Sequence, residues 1–314
     1  MPIDPTAQQM LDDFRASGRP NAHLLPVETA RANFEAAFAA LARPEVAKVL
    51  EVSIPTRDGK SVRGRVYLPD ECAGLPLTVY YHGGGWLLGS IDSHDVTTRL
   101  LSKSSRSAVL SVDYRRGPEH RFPTAVNDAI DALGWARDRP QELVNLGIDL
   151  ARVAVAGDSA GGNLAGAVAV NARAAGTHPP LRHMLLVYPS TTCDLTLGFD
   201  DAYQGVMLER DELLWHQRNY FSNAADAADP RASILDADLG GLPATTVILA
   251  ECDPIKPQGV LLAQALRSAG VDIESREYPG MIHGFFGLDE IFPIAADAMT
   301  YAGHRLSAAL ERRS

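Results

Sequence analysis

A serine stands at the centre of a Gly-x-Ser-x-Gly motif, in which Gly157 and Gly161 lie two positions either side of Ser159. The small and β-branched residues 152–156 predict a short buried strand before the motif, and the small residues 163–175 predict a helix after it. In a tight turn between a strand and a helix a serine is exposed, whereas side chains at the two glycines would collide with those elements. Ser159 is therefore a candidate nucleophile, although the motif without its flanking elements would fit an ordinary turn equally well.

A second glycine-rich segment can supply the hydrogen bonds that an attacked carbonyl group needs. Residues 77–81 predict a strand, and His82 follows it directly, ahead of three consecutive glycines. Acyl transfer passes through a tetrahedral oxyanion, which backbone N–H groups can reach only where no side chain stands in the way. The predicted oxyanion donors are the N–H groups of Gly83, Gly84 and Ala160. The alternative is a flexible glycine hinge after a strand, which the joint presence of the serine motif disfavours.

A serine hydroxyl needs a base to remove its proton and an acid to orient that base. In a fold where serine, acid and histidine follow one another on loops after strands, the acid comes after the buried strand predicted at 245–250. Asp253 is favoured as the acid because a proline behind it fixes a turn, and Glu251 is the runner-up. His283 follows the alternating strand predicted at 271–278 and is the predicted base. A surface histidine without a role is the alternative, which this topology disfavours.

Nine histidines and three cysteines raise the question of a metal site, which their spacing does not support. No two histidines form a His-x-x-x-His or His-Glu-x-x-His pattern, and the cysteines are isolated from one another. We therefore expect no metal. His82 is interpreted instead as a structural residue that holds the glycine segment by hydrogen bonding.

Taken together, these motifs resemble those of the bacterial hormone-sensitive lipase family of esterases, in the subgroup with Gly-Asp-Ser-Ala-Gly at the nucleophile. The matching segments keep the order of the family and are spread over residues 82–86, 113–115, 118–120, 122–123, 157–162, 253–254 and 283–285. The resemblance implies an α/β-hydrolase fold, hydrolysis of carboxylic esters without a cofactor, and a cap domain over the site. It assigns Ser159 as the nucleophile, Asp253 as the orienting acid and His283 as the base.

Two segments depart from the family pattern. Residues 256–258 are Lys-Pro-Gln where such proteins commonly carry an arginine and a pair of acids, and residues 116–117 are Arg-Gly in place of Leu-Ala. Neither segment touches a reacting atom. The departures leave loop conformations and dimer contacts open, but not the reaction class.

The elements that must position these residues alternate between strands and helices. Strands predicted at 49–54 and 62–67 flank the turn signal at 57–60 and are expected to form a hairpin. Further strands are predicted at 108–112 and 184–188, with helices between them. This alternation is typical of the α/β class, with a mostly parallel sheet and helices on both faces.

Two segments break the alternation and are predicted to form a helical cap. Residues 1–48 carry helices punctuated by prolines, and residues 193–240 carry an aromatic-rich helix and a long loop. The expected hydrolase core then has two parts, residues 49–192 and 241–314. The candidates to line the substrate cleft are Trp86, Tyr188 and Trp215. The alternative is that these aromatic side chains only pack the cap onto the core.

Composition narrows the range of partners. The chain has 314 residues, 46% of them apolar, which is enough for one large sheet-based domain with an insertion. A net charge of −10 without a basic stripe disfavours nucleic acids and anionic membranes. The first residues lack the features of a signal peptide, and no stretch approaches the about 20 apolar residues that span a bilayer. We therefore expect a cytoplasmic protein with reduced thiols and no stable membrane association, and a homodimer stays open.

The expected function is hydrolysis of small-molecule carboxylic esters of short to medium chain length through an acyl-enzyme. Three alternatives share the same scaffold: an amidase or peptidase, a hydrolase for a dedicated substrate such as a lactone, and a non-catalytic small-molecule receptor. The receptor is disfavoured because such binders usually lack the base, which is present here as His283.

Overall fold

The centre of the molecule is one mixed sheet of eight strands, all within residues 2–311, the part of the chain that this computed structural model describes. In chain order the strands are β1 (Lys48–Pro55), β2 (Ser61–Leu68), β3 (Pro76–Tyr81), β4 (Ala108–Asp113), β5 (Asp149–Asp158), β6 (His183–Val187), β7 (Thr245–Ala250) and β8 (Ile273–Tyr278). Their spatial order is β1-β2-β4-β3-β5-β6-β7-β8. β2 is antiparallel to both of its neighbours, and every other pair is parallel, so the carboxyl ends of β3 to β8 share one edge of the sheet.

Helices cover both faces of this sheet. In chain order they are α1 (Pro5–Ala16), α2 (Val27–Ala39), α3 (Asp95–Ser105), α4 (Thr124–Arg137), α5 (Gln141–Asn145), α6 (Ala160–Ala174), α7 (Arg210–Tyr220), α8 (Ala224–Ala227), α9 (Lys256–Ser268) and α10 (Pro293–Glu311). Helices α4, α6 and α9 pack their buried residues on one face, and α3 and α10 pack theirs on the other. Strands β3, β6 and β7 are buried along their whole length, as parallel strands covered on both sides must be.

The predicted α/β class, with a mostly parallel sheet and helices on both faces, is confirmed. The hairpin expected around residues 57–60 is the β1–β2 pair, in which Ile54 lies opposite Val62. Helices α3 and α10 lie in segments for which no element was predicted. The reason is compositional, because α3 is rich in serine and threonine, which are weak helix formers, and the apolar face of α10 consists largely of alanine.

The N-terminal helices and α7 meet over the segment that follows β3. Ala30 of α2 and Trp215 of α7 share a small apolar cluster with Leu87 and Leu88. Helix α7 also packs against the short 3₁₀ turn Ala22–Leu24 between α1 and α2. Within the described range, no helix combines the length and the apolar character needed to cross a bilayer.

Candidate active site

Ser159 occupies a strained turn between β5 and α6. The strand ends one residue before the serine and the helix begins one residue after it, and the serine itself has φ 54° and ψ −120°. A Cβ atom at Gly157 would lie 2.2 Å from the carbonyl oxygen of Gly161, and one at Gly161 would lie 2.0 Å from that of Tyr81. Both positions therefore need glycine for the steric reason that the motif indicated.

The structure brings Ser159, His283 and Asp253 together at the carboxyl edge of the sheet. His283 Nε2 lies 2.9 Å from Ser159 Oγ, and His283 Nδ1 lies 2.7 Å from Asp253 Oδ2. Asp253 is fully buried, and its other oxygen accepts the backbone N–H of Ile255 at 2.9 Å. A carboxylate at this distance keeps the ring proton on Nδ1, which leaves Nε2 free to accept the hydroxyl proton.

Glu251, the runner-up for the acid, follows β7 as closely as Asp253 does but contacts a different group. Its Oε2 accepts the backbone N–H of Gly280 at 2.8 Å, in the turn after β8. Of the two acids, Asp253 is the one bonded to His283. Glu251 instead supports the turn that leads into the histidine loop.

The glycine segment after β3 faces the same cleft, with part of its backbone already engaged. The N–H of Gly83, one of the predicted oxyanion donors, donates instead to Asp158 Oδ1 at 3.0 Å. Within residues 2–311 the N–H groups of Gly84, Gly85 and Ala160 have no acceptor. The sequence pattern did not reveal this difference, because three consecutive glycines look alike until the fold sets the direction of each N–H.

Asp158 was not singled out from the sequence, although it is the residue before the serine. The Tyr80 hydroxyl donates to its Oδ1 at 2.6 Å, and His94 Nε2 lies 3.5 Å from its Oδ2. Burial raises the pKa of Asp158, but the charge and hydrogen bond of His94 and the Tyr80 hydroxyl outweigh it, so that the pKa lies below its ordinary value. The ionised carboxylate therefore anchors the amide of Gly83 and, through it, the glycine segment.

His82 supports the glycine segment from the neighbouring position, in agreement with its interpretation as a structural residue. Its Nδ1 lies 2.8 Å from the carbonyl oxygen of Gly83. Burial, with the nearby His94 and Arg116, lowers the pKa of His82 well below its ordinary value, so the ring is neutral and Nδ1–H donates this bond. The Tyr114 ring stacks on His82 at 4.2 Å and keeps its plane fixed.

A cleft of about 870 Å³ opens above these groups, and two of the three predicted aromatic residues line it. The Tyr188 ring lies 4.5 Å from that of His283, and the Trp86 ring stacks on Tyr220 at 4.8 Å. Trp215 lies outside this lining and packs against Leu87 and Leu88. The physical reason is helix rotation, because α7 turns residues 212, 213 and 216 toward the cleft and leaves Trp215 on another face.

Across residues 2–311, no group of three or more histidine, cysteine, aspartate or glutamate side chains is arranged to hold a metal ion.

Comparison with known families gives the same architecture. A family model described as the alpha/beta hydrolase fold matches residues 78–287. The chain belongs to this α/β-hydrolase family. Within it, the chain is one of the hormone-sensitive-lipase-like esterases, as the resemblance of its motifs implied.

Relatives of this α/β-hydrolase match nearly its whole length. The carboxylesterase NlhH of Mycobacterium tuberculosis is 37% identical over 310 residues, which cover 94% of this chain and 92% of that protein. The ethyl acetate hydrolase of Pseudomonas putida is 35% identical over 300 residues and 93% of each protein. A solved structure, the hyperthermophilic esterase of the archaeon Pyrobaculum calidifontis, is 38% identical and has a TM-score of 0.89, covering 98% of this chain and 99% of that one.

One wall of the cleft in this α/β-hydrolase is formed by α7, whose cleft-facing residues the sequence did not identify. A Cβ atom at Gly85 would lie 2.4 Å from His216 Nδ1, so the imidazole packs directly on the glycine segment. Burial, with a contribution from His283, lowers the pKa of His216 to about 3, and the ring is therefore neutral. Glu212, one helical turn earlier, also faces the cleft.

Proposed function

We propose that this carboxylic-ester hydrolase works through an acyl-enzyme formed on Ser159, with His283 as the general base and Asp253 as the acid that orients it. The observation that carries the proposal is the continuous hydrogen-bonded chain from Ser159 Oγ to His283 at 2.9 Å and on to Asp253 at 2.7 Å. The names of the relatives, carboxylesterase and ethyl acetate hydrolase, support the same reaction.

The proposed reaction has two halves that share one histidine. His283 Nε2 takes the proton of Ser159 as its oxygen attacks the ester carbonyl, and the imidazolium is stabilised by Asp253. His283 then gives this proton to the leaving alcohol as the tetrahedral intermediate collapses to the acyl-enzyme. In the second half, a water molecule loses its proton to His283 and attacks the acyl carbon, which releases the acid and restores the serine.

The proposed oxyanion donors are the N–H groups of Gly84, Gly85 and Ala160. Gly84 and Ala160 were expected from the sequence, and Gly85 takes the place of Gly83, whose N–H is bonded to Asp158. Donors that are already free of internal acceptors need no rearrangement when negative charge develops on the substrate oxygen. Loss of one such donor costs about a hundredfold to a thousandfold in turnover.

We propose that residues 1–48 and 193–240 form the cap, over a core of residues 49–192 and 241–314. The support is the lining of the cleft, to which α1, α2 and α7 contribute side chains, and α2 has no buried residue in either of the two core clusters that cover the sheet. The apolar cluster of Ala30, Leu87, Leu88 and Trp215 also joins α2 and α7 to each other and to the segment after β3.

Small-molecule esters of short to medium chain length are the proposed substrates. The cleft volume of about 870 Å³ lies within the range of about 300–1,000 Å³ found for small-molecule sites.

The free thiols of Cys72, Cys193 and Cys252 support the expected cytoplasmic location, where thiols stay reduced.

The decisive experiment measures hydrolysis of p-nitrophenyl butyrate by the Ser159→Ala variant. Turnover is expected to fall by at least about ten-thousandfold with unchanged circular dichroism and melting temperature, because the substitution removes only the attacking oxygen. Turnover near the wild-type rate in a folded variant would refute the assignment.

Two further measurements test the nucleophile directly and compare ester with amide hydrolysis. A serine-directed organophosphate is expected to add one label per chain, and peptide mass spectrometry should place that label on Ser159.

Comparison of p-nitrophenyl butyrate with the corresponding p-nitroanilide then decides the amidase alternative. Faster turnover of the anilide would favour that alternative over ester hydrolysis.

A further inference from the structure

One carboxylate stands out in the apolar wall of the cleft. The side chains of Phe34 and Phe38 from α2 line the same cleft as Glu212 from α7, and the two rings lie 4.9 Å apart. Glu212 is one turn ahead of His216, which packs on the glycine segment. Glu212 therefore lines the same cleft as Ser159.

Glu212 has neither a hydrogen bond nor an ion pair with any residue in the range 2–311. Its neighbours at the start of α7 differ from it. Glu209 accepts a hydrogen bond from Asn21 Nδ2 at 2.9 Å, and Arg210 turns away to pair with Asp201 at 3.0 Å. Carboxylates withdrawn from water are normally paired or hydrogen-bonded, so this half-buried and unpartnered one, which lines the cleft, is suited to receive a partner from the substrate.

The surroundings of Glu212 make its charge responsive to such a partner. Burial, with the carboxylate of Glu209, raises the pKa of Glu212 to about 7, and the nearby His283 opposes this effect. The other charged or titratable groups that line the cleft are Asp13, Arg15, Arg19, His94, Asp158, Tyr188, Cys193 and His216.

Neither lining arginine neutralises this carboxylate. Arg15 is exposed and pairs with Asp12 at 3.1 Å, and Arg19 is hydrogen-bonded to Ser17 Oγ at 3.1 Å. The neutral His216 ring carries no charge to offset it. Among residues 2–311, therefore, no cationic side chain forms an ion pair with Glu212, and only the nearby His283 favours its charge.

We propose that Glu212 is a specificity-determining residue that selects esters carrying a cationic nitrogen remote from the scissile bond. This inference rests on the proposed function, since it assigns a substrate class to the same cleft. A cation is favoured over a neutral donor because only a cation offsets the charge that burial destabilises. The rings of Phe34 and Phe38 add a surface on which an ammonium group can rest.

The first test compares two substrates of the same shape that differ only in charge. Acetylcholine carries a quaternary nitrogen where 3,3-dimethylbutyl acetate carries a carbon, so the ratio of their kcat/KM values isolates the effect of charge on the alcohol side. The p-nitrophenyl esters of 4-(trimethylammonio)butyrate and 5,5-dimethylhexanoate form the matching pair on the acyl side. In at least one pair the cationic ester is expected to have the higher kcat/KM at pH 8.

The Glu212→Gln variant assigns the preference to this residue. The ratio for the favoured pair is expected to fall by about tenfold, because the substituted amide keeps the shape but loses the charge. Asp211→Asn is the matched control, since it removes a charge from the adjacent position of the same helix, where the side chain is exposed and outside the cleft lining. The ratio in this control is expected to stay at the wild-type value.

A pH series on the wild-type protein gives a readout that needs no variant. The pKa of about 7 leaves Glu212 mostly neutral at pH 6 and mostly ionised at pH 8, so the cationic preference should rise between these values. Each substrate of a pair keeps its own charge at both pH values, so a change in the ratio of their kcat/KM values reflects a change of charge in the protein.

The outcomes separate this inference from the proposed function. Hydrolysis of the neutral esters that depends on Ser159, with no cationic preference in either pair, overturns the role of Glu212 alone. A preference that persists in Glu212→Gln, or that does not change with pH, overturns it as well. Absence of Ser159-dependent turnover for every ester overturns the proposed function itself.

Discussion

The carboxyl edge of the sheet and the wall that α1, α2 and α7 form above it hold their side chains in different ways. At the edge, His283 is hydrogen-bonded to Ser159 at 2.9 Å and to Asp253 at 2.7 Å. In the wall, Ala30 of α2 and Trp215 of α7 share an apolar cluster with Leu87 and Leu88. The edge is thus held by directional bonds between strand ends, and the wall mainly by packing between helices.

This difference indicates which kinetic quantity each region controls. Directional bonds keep reacting atoms within proton-transfer distance, so changes at the edge should lower kcat. Apolar packing tolerates small shifts, so changes in the wall should alter KM and the choice of ester. Variants in each region test this division.

The Asp253→Asn substitution should lower kcat for p-nitrophenyl butyrate by about ten-thousandfold. The amide can donate to Nδ1, which favours the ring tautomer with the proton on Nε2 and so blocks removal of the serine proton. Stopped-flow or steady-state kinetics on the purified variant measure the loss.

Glu251→Gln is the matched control for this acid, because Glu251 also follows β7 but bonds to Gly280. Its kcat is expected to stay within about threefold of wild type, as Glu251 does not contact the reacting groups. A larger loss in Glu251→Gln than in Asp253→Asn would reverse the assignment of the acid.

The Asp158→Ala substitution should lower kcat by about a hundredfold with little change in KM, because release of the Gly83 amide displaces the neighbouring oxyanion donors. Asp158→Asn should retain more activity, since its amide oxygen can still accept from Gly83. A variant with normal kcat and a raised KM would contradict this positioning role.

The Arg31→Ala substitution should raise KM several-fold with a smaller change in kcat, because Arg31 joins α2 to the loops of the core. Its guanidinium donates to the carbonyl of Leu87 at 2.8 Å and pairs with Glu119 at 2.7 Å. Faster trypsin cleavage near the N-terminal helices should accompany the change. Arg31→Lys is expected to behave like the alanine variant, because a single ammonium group cannot make both contacts.

The Phe38→Ala substitution should have the smallest effect, a shift of the chain-length preference toward longer acyl groups by about fivefold in the ratio of decanoate to butyrate turnover. The substitution enlarges the cleft without touching the hydrogen-bonded edge. Leu24→Ala is the control, because Leu24 is 68% exposed and lies outside the lining. An equal shift in both variants would show that the wall does not limit the acyl group.

Much of the fold could be predicted because its signals are local. The Arg57–Lys60 turn signal, the buried strand at 245–250 and the Gly157–Gly161 motif each depend on neighbouring residues, and each is where the sequence indicated. Helices α3 and α10 escaped prediction because serine, threonine and alanine give little contrast between faces, so tertiary packing decides their conformation.

The chain alone predicted the proposed nucleophile and base, with Asp253 favoured over Glu251 as the acid, because these groups must follow strands in a set order and few residues satisfy that order. The folded structure set the direction of each group. The Gly83 amide donates to Asp158, Trp215 lies outside the lining of the cleft, and Glu212 lies within it. Residue type decides which chemistry a group can perform, whereas helix rotation and backbone direction decide which groups it contacts. Rotation and direction depend on packing between residues that are far apart in the sequence.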